Sequence, residues 1–190
     1  MKVIIDTSAL LSLVRYYLPF DKNNRLFNFI KQGIENGEII IIDAVLEECE
    51  YISKQLVVKT LHYLTEKSFK KEFKIPFKTL GLIPPSTKKF YNMVDNNFRS
   101  AISKKLNNAE FEQEKKIFLN SADARMIILA LNERHKNIEN QVFIVTEETE
   151  SANDKKAFKK IPSICKIVGI DVITLPELLS KYKEVHIEIN

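Results

Sequence analysis

The chain has 190 residues, 45% hydrophobic and 28% charged, with two cysteines, three histidines and four glycines. A chain of this length buries about 70% of its unfolded surface, so one domain with its own core is expected, and a disulfide scaffold or a fibrous chain is excluded. The net charge of +4 hides a division: residues 54–116 hold 14 Lys+Arg against 6 Asp+Glu, and the remainder 15 against 19, so a basic segment is set into an acidic chain.

In chain order, Lys2 to Asp6 reads as a short strand, apolar in its middle and ending in a carboxylate. Ser8 to Tyr17 has helical spacing, with Thr7 or Ser8 as cap. Leu26 to Glu35 predicts a second helix closed at Gly37. Glu38 to Asp43 predicts a second buried strand, again ending in Asp. A helix is expected from about Ala44 toward Leu64. The breaker cluster Gly81 to Pro85 precedes helical patterns at roughly 87–106 and 108–135. Gln141 to Thr146 and Ile170 to Ile173 are the third and fourth strands, Pro176 to Tyr182 a last short helix, and the alternating Val185 to Ile189 an edge strand.

Strands that are apolar throughout, separated by helices, predict a parallel sheet covered on both faces. The expected class is α/β, a three-layer α/β/α fold with a central parallel sheet of four to five strands. One domain spans 1–190, with a basic helical insertion at about 60–116. The chain shows no signal-peptide pattern and no apolar run near 18 residues, so a cytoplasmic location without membrane contact is expected.

In open parallel sheets, sites form beyond the carboxyl ends of the strands. Asp6 ends the first strand, Asp43 the second, and Glu147 and Glu148 follow the third. No histidine, cysteine or lysine takes an equivalent place, which points to an all-carboxylate site and a hard divalent cation. On the helix from Ala44, Val45, Cys49, Ile52 and Leu56 form an apolar stripe. Glu48 lies about 60° from it and Glu47 nearly opposite, so Glu48 is the candidate ligand. Asp123 sits one turn before the apolar run 126–131, facing either the core edge or the helix's own amides. Asp6 is equally placed to cap the helix that begins near Ser8.

Taken together, Ile-Ile-Asp6-Thr7-Ser8-Ala-Leu-Leu, Val45-x-x-Glu48, Ala122-Asp123-Ala124 before an apolar helix, and Ile144-Val145-Thr146-Glu147-Glu148 resemble the PIN domain family of metal-dependent ribonucleases, many of them toxins of toxin–antitoxin pairs. The resemblance covers roughly 1–60 and 117–180 and leaves out the basic insertion. The ending Lys160-Ile161-Pro162-x-x-Cys165 before Gly169 also looks like a branch of that family without an assigned function. The resemblance implies catalytic metal ligands at Asp6, Glu48 and Asp123. Glu148 stands at the fourth acidic position where the family's turn carries Asp, a departure of one methylene, with Glu147 as the alternative. Ser8 and Thr146 would support the first and fourth acids, or serve as simple caps.

It further implies one or two Mg²⁺ or Mn²⁺ ions, hydrolysis of RNA in single-stranded or loop regions, and an antitoxin protein as partner. Lys67, Lys70, Lys71 and Lys74, with Lys155 and Lys156, are the candidate RNA-backbone contacts. Phe69, Phe73 and Phe77 interleave the first set and are expected in the core. The insertion is open to three uses: substrate choice, a homodimer surface, or a lid. A receiver domain or an Asp-x-Asp phosphohydrolase is disfavoured, because Asp6 is followed by Thr7-Ser8. The competing reading is a PIN-like module that binds RNA or protein without cleaving.

Overall fold

The structure is a computed structural model that describes residues 1–136, 141–150 and 156–182. The edge strand expected at Val185 to Ile189 lies outside the described residues.

In chain order, β1 (Lys2–Ile5) leads into α1 (Thr7–Ser12), which runs on through a π-helical turn at Leu13–Tyr17 and a 3-10 turn at Leu18–Phe20. Then come α2 (Arg25–Glu35), β2 (Ile39–Ile40), α3 (Asp43–Tyr51), α4 (Leu56–Thr60), α5 (Lys67–Phe73), α6 (Thr87–Asn96), α7 (Asn108–Asn120) and α8 (Ala122–Lys136). β3 (Val142–Val145), α9 (Ile161–Val168), β4 (Asp171–Ile173) and α10 (Leu175–Lys181) complete the described elements. The fold is α/β, a four-stranded parallel sheet flanked by helices and 63% helical, in keeping with the three-layer α/β/α class. No helix among the described residues is long and apolar enough to cross a membrane.

The strand order is β2-β1-β3-β4. β1 pairs in parallel with β2, Val3 opposite Ile39 and Ile4 opposite Ile40. Val3, Ile4 and Ile5 are fully buried, and so are Ile144 and Val145. That is why these strands are apolar without alternation. The chain leaves β1 toward β2 and returns to the opposite side of β1 to form β3. The strand order therefore reverses between β1 and β3, the kind of point at which sites form beyond the carboxyl ends of parallel strands.

The chain divides into two compact units, one of residues 1–78, 143–147 and 172–190, the other of 79–142 and 148–171. The boundary falls inside the basic segment, so 60–78 belong with the sheet and 79–116 with the second unit. In the first unit, Gly33 of α2 faces β2. A methyl group there would stand 2.6 Å from Ile39 Cδ1, so this close approach requires glycine. Phe69 is buried and packs at 5.0 Å from the Tyr63 ring and 4.7 Å from that of Phe73. Phe77 continues the edge of the sheet: its N–H donates to Ile41 O, and its carbonyl accepts from Asp43 N. Sequence gave no sign of this pairing, because Pro76 interrupts any strand pattern.

The second unit has an aromatic core. Phe118 stacks on Phe158 at 4.3 Å, with Phe98 at its edge and Phe90 against Phe98. The Arg99 guanidinium covers Phe111 at 4.0 Å. α7 opens with a capping box between Asn107 and Glu110. α9 ends at Gly169 in the left-handed region (φ +73°), where the Arg134 guanidinium donates to the carbonyls of Val168 and Gly169. α9, unpredicted, begins with Pro162 in its first turn, where proline loses no helical hydrogen bond.

Three predicted helices are shorter than expected. The helix from Ala44 stops at Tyr51, because Ser53, Lys54 and Gln55 all take positive φ (49°, 56° and 64°). The apolar stripe therefore ends at Cys49, and Ile52 is exposed. The helix expected at 108–135 is two helices parted at Ser121, which is extended and whose Oγ accepts from Ala124 N. The pattern at 87–106 yields α6 and a separate 3-10 turn at Ser103–Lys105.

Candidate functional site

Asp6 sits where β1 ends, and its own N–H still donates to Val145 O of β3 at 2.9 Å. Its carboxylate is 7% exposed and accepts from four donors: Thr7 N (2.7 Å) on Oδ1, and Ser8 N (3.4 Å), Ser8 Oγ (2.6 Å) and Thr146 Oγ (2.8 Å) on Oδ2. Asp6 is thus the N-cap of α1. A carboxylate held by this many donors is fixed in orientation, and its burial is compensated.

Both hydroxyls meet the first acid: Ser8 donates to Asp6 as expected, and Thr146, expected beside the fourth acid, donates to Asp6 as well. Ser8 Oγ and Thr146 Oγ lie 3.0 Å apart, and Ser8 Oγ also accepts from Glu147 N at 3.0 Å. The ends of β1 and β3 are laced together by these bonds. Thr146→Val keeps the shape, removes one donor to a buried charge, and should lower stability by about 1.5–3 kcal/mol. Urea denaturation of the two forms measures this.

Thr7 is the residue that sequence reasoning passed over. Its N–H donates to the Asp6 carboxylate, while its Oγ donates to Glu48 Oε2 of α3 at 2.6 Å. One residue therefore joins the first two predicted ligands, through its backbone N–H to Asp6 and its hydroxyl to Glu48. Glu48 is exposed, as is Glu47, so it reaches the cluster from the solvent side instead of leaning into the interior as expected. Val45 and Cys49 are buried as the stripe predicts, while Glu48 beside them stands at its exposed edge. Glu147, held by Leu175 N on its Oε1 at 2.8 Å, is the acid that follows β3 in the first unit. Burial and then the charge of Glu147 push the Tyr17 hydroxyl upward.

Asp123 and Glu148 belong to the second unit. Asp123 lies in the first turn of α8, half-buried, and its charge adds to burial in pushing the Cys165 thiol up to about 12. The Cys49 thiol is also pushed up to about 12, by burial and then by Glu48 and Asp6. Both thiols are buried and stay protonated at neutral pH. They should be inert to dithionitrobenzoate at pH 8 and react only on unfolding. The raised values cost no stability below the unfolded thiol value of about 8.5. Above it the unfolded chain releases these protons first, so stability should fall as pH rises.

Lys67, Lys71 and Lys74 are exposed on α5 and its end, with Lys70 half-buried among them. Lys156 is exposed in the second unit, and Lys155 lies outside the described residues. Among the described residues, no group of three or more His, Cys, Asp or Glu side chains is arranged to hold a metal ion. The donor chemistry at Asp6 and Glu48 is nevertheless that of a hard cation. Mg²⁺ is commonly held by one or two carboxylates, with waters and substrate phosphates completing its shell.

Fold and site together define an α/β protein with a hydroxyl-buttressed acidic pair at the switch point of its sheet. The chain belongs to the family described as a domain of unknown function (DUF4411), whose model matches residues 84–185, more than half of the chain. The match includes Asp123, Thr146 and Glu148 and ends short of Asp6 and Glu48 on the N-terminal side. Comparison with curated proteins and with solved structures finds no match.

Proposed function

We propose that this chain is a PIN-like endoribonuclease dependent on Mg²⁺ or Mn²⁺. The observation that carries the reading is the carboxylate of Asp6, fixed by Thr7, Ser8 and Thr146 at the end of β1 and joined through Thr7 to Glu48. Position supports it as well, since Asp6 ends β1 where the strand order reverses toward β3. Asp6 and Glu48 would hold the ion. A bound divalent ion lowers the pKa of water and neutralises charge developing on a phosphodiester.

The protein's own part is to keep the carboxylates oriented. The Ser8 and Thr146 hydroxyls leave Asp6 no freedom to turn away, and Thr7 does the same for Glu48. The lysines of α5 would contact the RNA backbone. In this reading the substrate is RNA in single-stranded or loop regions. The setting is the cytoplasm, and an antitoxin is the partner that would obstruct the acids. A homodimer is compatible with it.

The test is incubation of a mixed pool of structured and unstructured RNAs with Mn²⁺ or Mg²⁺, beside an EDTA control. Products that form with the ion and vanish with EDTA are expected. The second reading, a module that binds RNA or a protein without cleaving, is favoured by one observation: the Asp6 carboxylate is satisfied by the chain itself as the cap of α1. RNA bound but left intact under all these conditions would select it.

A further inference from the structure

The second unit carries a groove of about 440 Å³, lined by residues from α6, from the end of α8 and from the end of α9. Met93, Leu131, Ile167 and Val168 give it an apolar lining. Lys89, Arg134 and His135 line it too, and among the described residues no carboxylate does. The acids that these three helices hold are engaged or placed elsewhere. Asp95 is paired with Lys115, and Glu133 is 5% exposed with Lys136 Nζ at 2.7 Å. Asp123 lies in the first turn of α8, about three turns from Arg134. The groove is therefore both apolar and positively charged.

A surface of the opposite kind lies on α3 of the first unit. Glu47, Glu48 and Tyr51 are exposed, Tyr51 at 78%, and steps of three and four residues set Tyr51 on the same side of the helix as both acids. Val45, Leu46 and Cys49 take up the buried side. α3 holds no basic residue, and the next cation, Lys54, lies beyond its end. An exposed ring beside two carboxylates suits an apolar lining that holds cations, and tyrosine is a frequent anchor of protein interfaces. The exposed rings of Tyr16 and Phe20 suit it less, because Arg15 and Lys22 stand beside them in the chain and would be repelled.

We infer that the groove of the second unit receives the Glu47–Glu48–Tyr51 side of α3 from a second copy of this chain, so that the protein associates with itself. Tyr51 enters the apolar lining, and Glu47 and Glu48 meet Lys89, Arg134 and His135, as in a helix laid into a groove. Glu48 is also one of the two acids of the site. Association therefore covers the Asp6–Glu48 pair and, on the ribonuclease reading, on which this consequence alone rests, withholds it from RNA.

The test is sedimentation equilibrium of the full chain over a range of protein concentrations at low salt. The wild type should associate, and less so at high salt, where the charges are screened. Lys89→Glu and Glu47→Lys should each weaken association about tenfold or more, because like charges then face each other. Tyr51→Ala should do the same by removing the anchor. An equal mixture of the Lys89→Glu and Glu47→Lys chains should associate again, because the intact groove of one meets the intact α3 of the other. That recovery also shows that both variants are folded. A wild type that stays monomeric at every concentration overturns the inference. So does association unaltered in the three single variants, which gives the contact to another face, or a mixture as weak as its components. Mn²⁺-dependent cleavage per chain should fall with protein concentration in the wild type and stay constant in Tyr51→Ala. Cleavage that does not fall while the wild type associates overturns the covering of the acids. Association without cleavage at any concentration overturns the ribonuclease reading and upholds the groove.

Discussion

Replacing Asp6 with asparagine should reduce Mn²⁺-dependent RNA cleavage about a hundredfold or more and leave the protein folded. Asparagine has the same size and keeps one oxygen to accept from the Thr7 amide. The hydroxyls of Ser8 and Thr146 can rotate to accept from the new amide, so the packing around position 6 survives. What is lost is the charge. A hard cation is worth several kcal/mol to charge developing on a phosphodiester, and its hold depends on that carboxylate. On the proposed reading Mn²⁺ should raise the melting temperature of the wild type, and the same substitution should abolish that rise, since only a bound ion shifts the unfolding equilibrium. Thermal melts with Mn²⁺ and with EDTA read the second effect independently of RNA. Full activity in Asp6→Asn would remove Asp6 from the chemistry and leave it as the cap of α1.

Phe118→Ala should destabilise the second unit by about 3–5 kcal/mol, the usual loss for a buried phenylalanine. Phe118 is 7% exposed, stacked on Phe158 and touched at its edge by Phe98. Its removal would leave Phe158 with one covered face and open a hole that rigid rings close poorly. Phe118→Leu retains most of the volume and should cost less than half as much. The chain has no tryptophan, so far-UV circular dichroism in urea is the appropriate probe. Equal midpoints for the alanine and leucine variants would mean that the aromatic cluster is not the core of this unit.

Much of the sheet was legible in the residues. Val3-Ile4-Ile5, Ile39-Ile40 and Val142 to Val145 carry no polar residue, and a strand buried on both faces leaves no other choice. Asp6 was legible for the same reason, as the first charge after such a run. Helix ends were harder. Nothing in Ser53-Lys54-Gln55 marks them as left-handed, because none is glycine, and that conformation is imposed by the surrounding fold. The Thr7–Glu48 bond spans 41 residues and depends on how α1 lies against α3, which no local pattern encodes. Thr7 therefore read as a cap, whereas the cap is Asp6 and Thr7 is a bridge. Glu147 and Glu148 are indistinguishable as letters. Only the Leu175 amide on Glu147 and the Ser8 hydroxyl on its N–H separate them.

The π-helical turn at Leu13–Tyr17 has a consequence for insertions and deletions. A π turn is equivalent to an α-helix that has gained one residue. Deleting a single residue within it would restore ordinary winding and turn each later side chain by about 100°. Tyr17 would turn with them, and so would Phe20. The chain can lose a residue from an exposed loop without such an effect, whereas here a one-residue deletion would re-aim a whole face of the molecule while leaving its buried strands untouched.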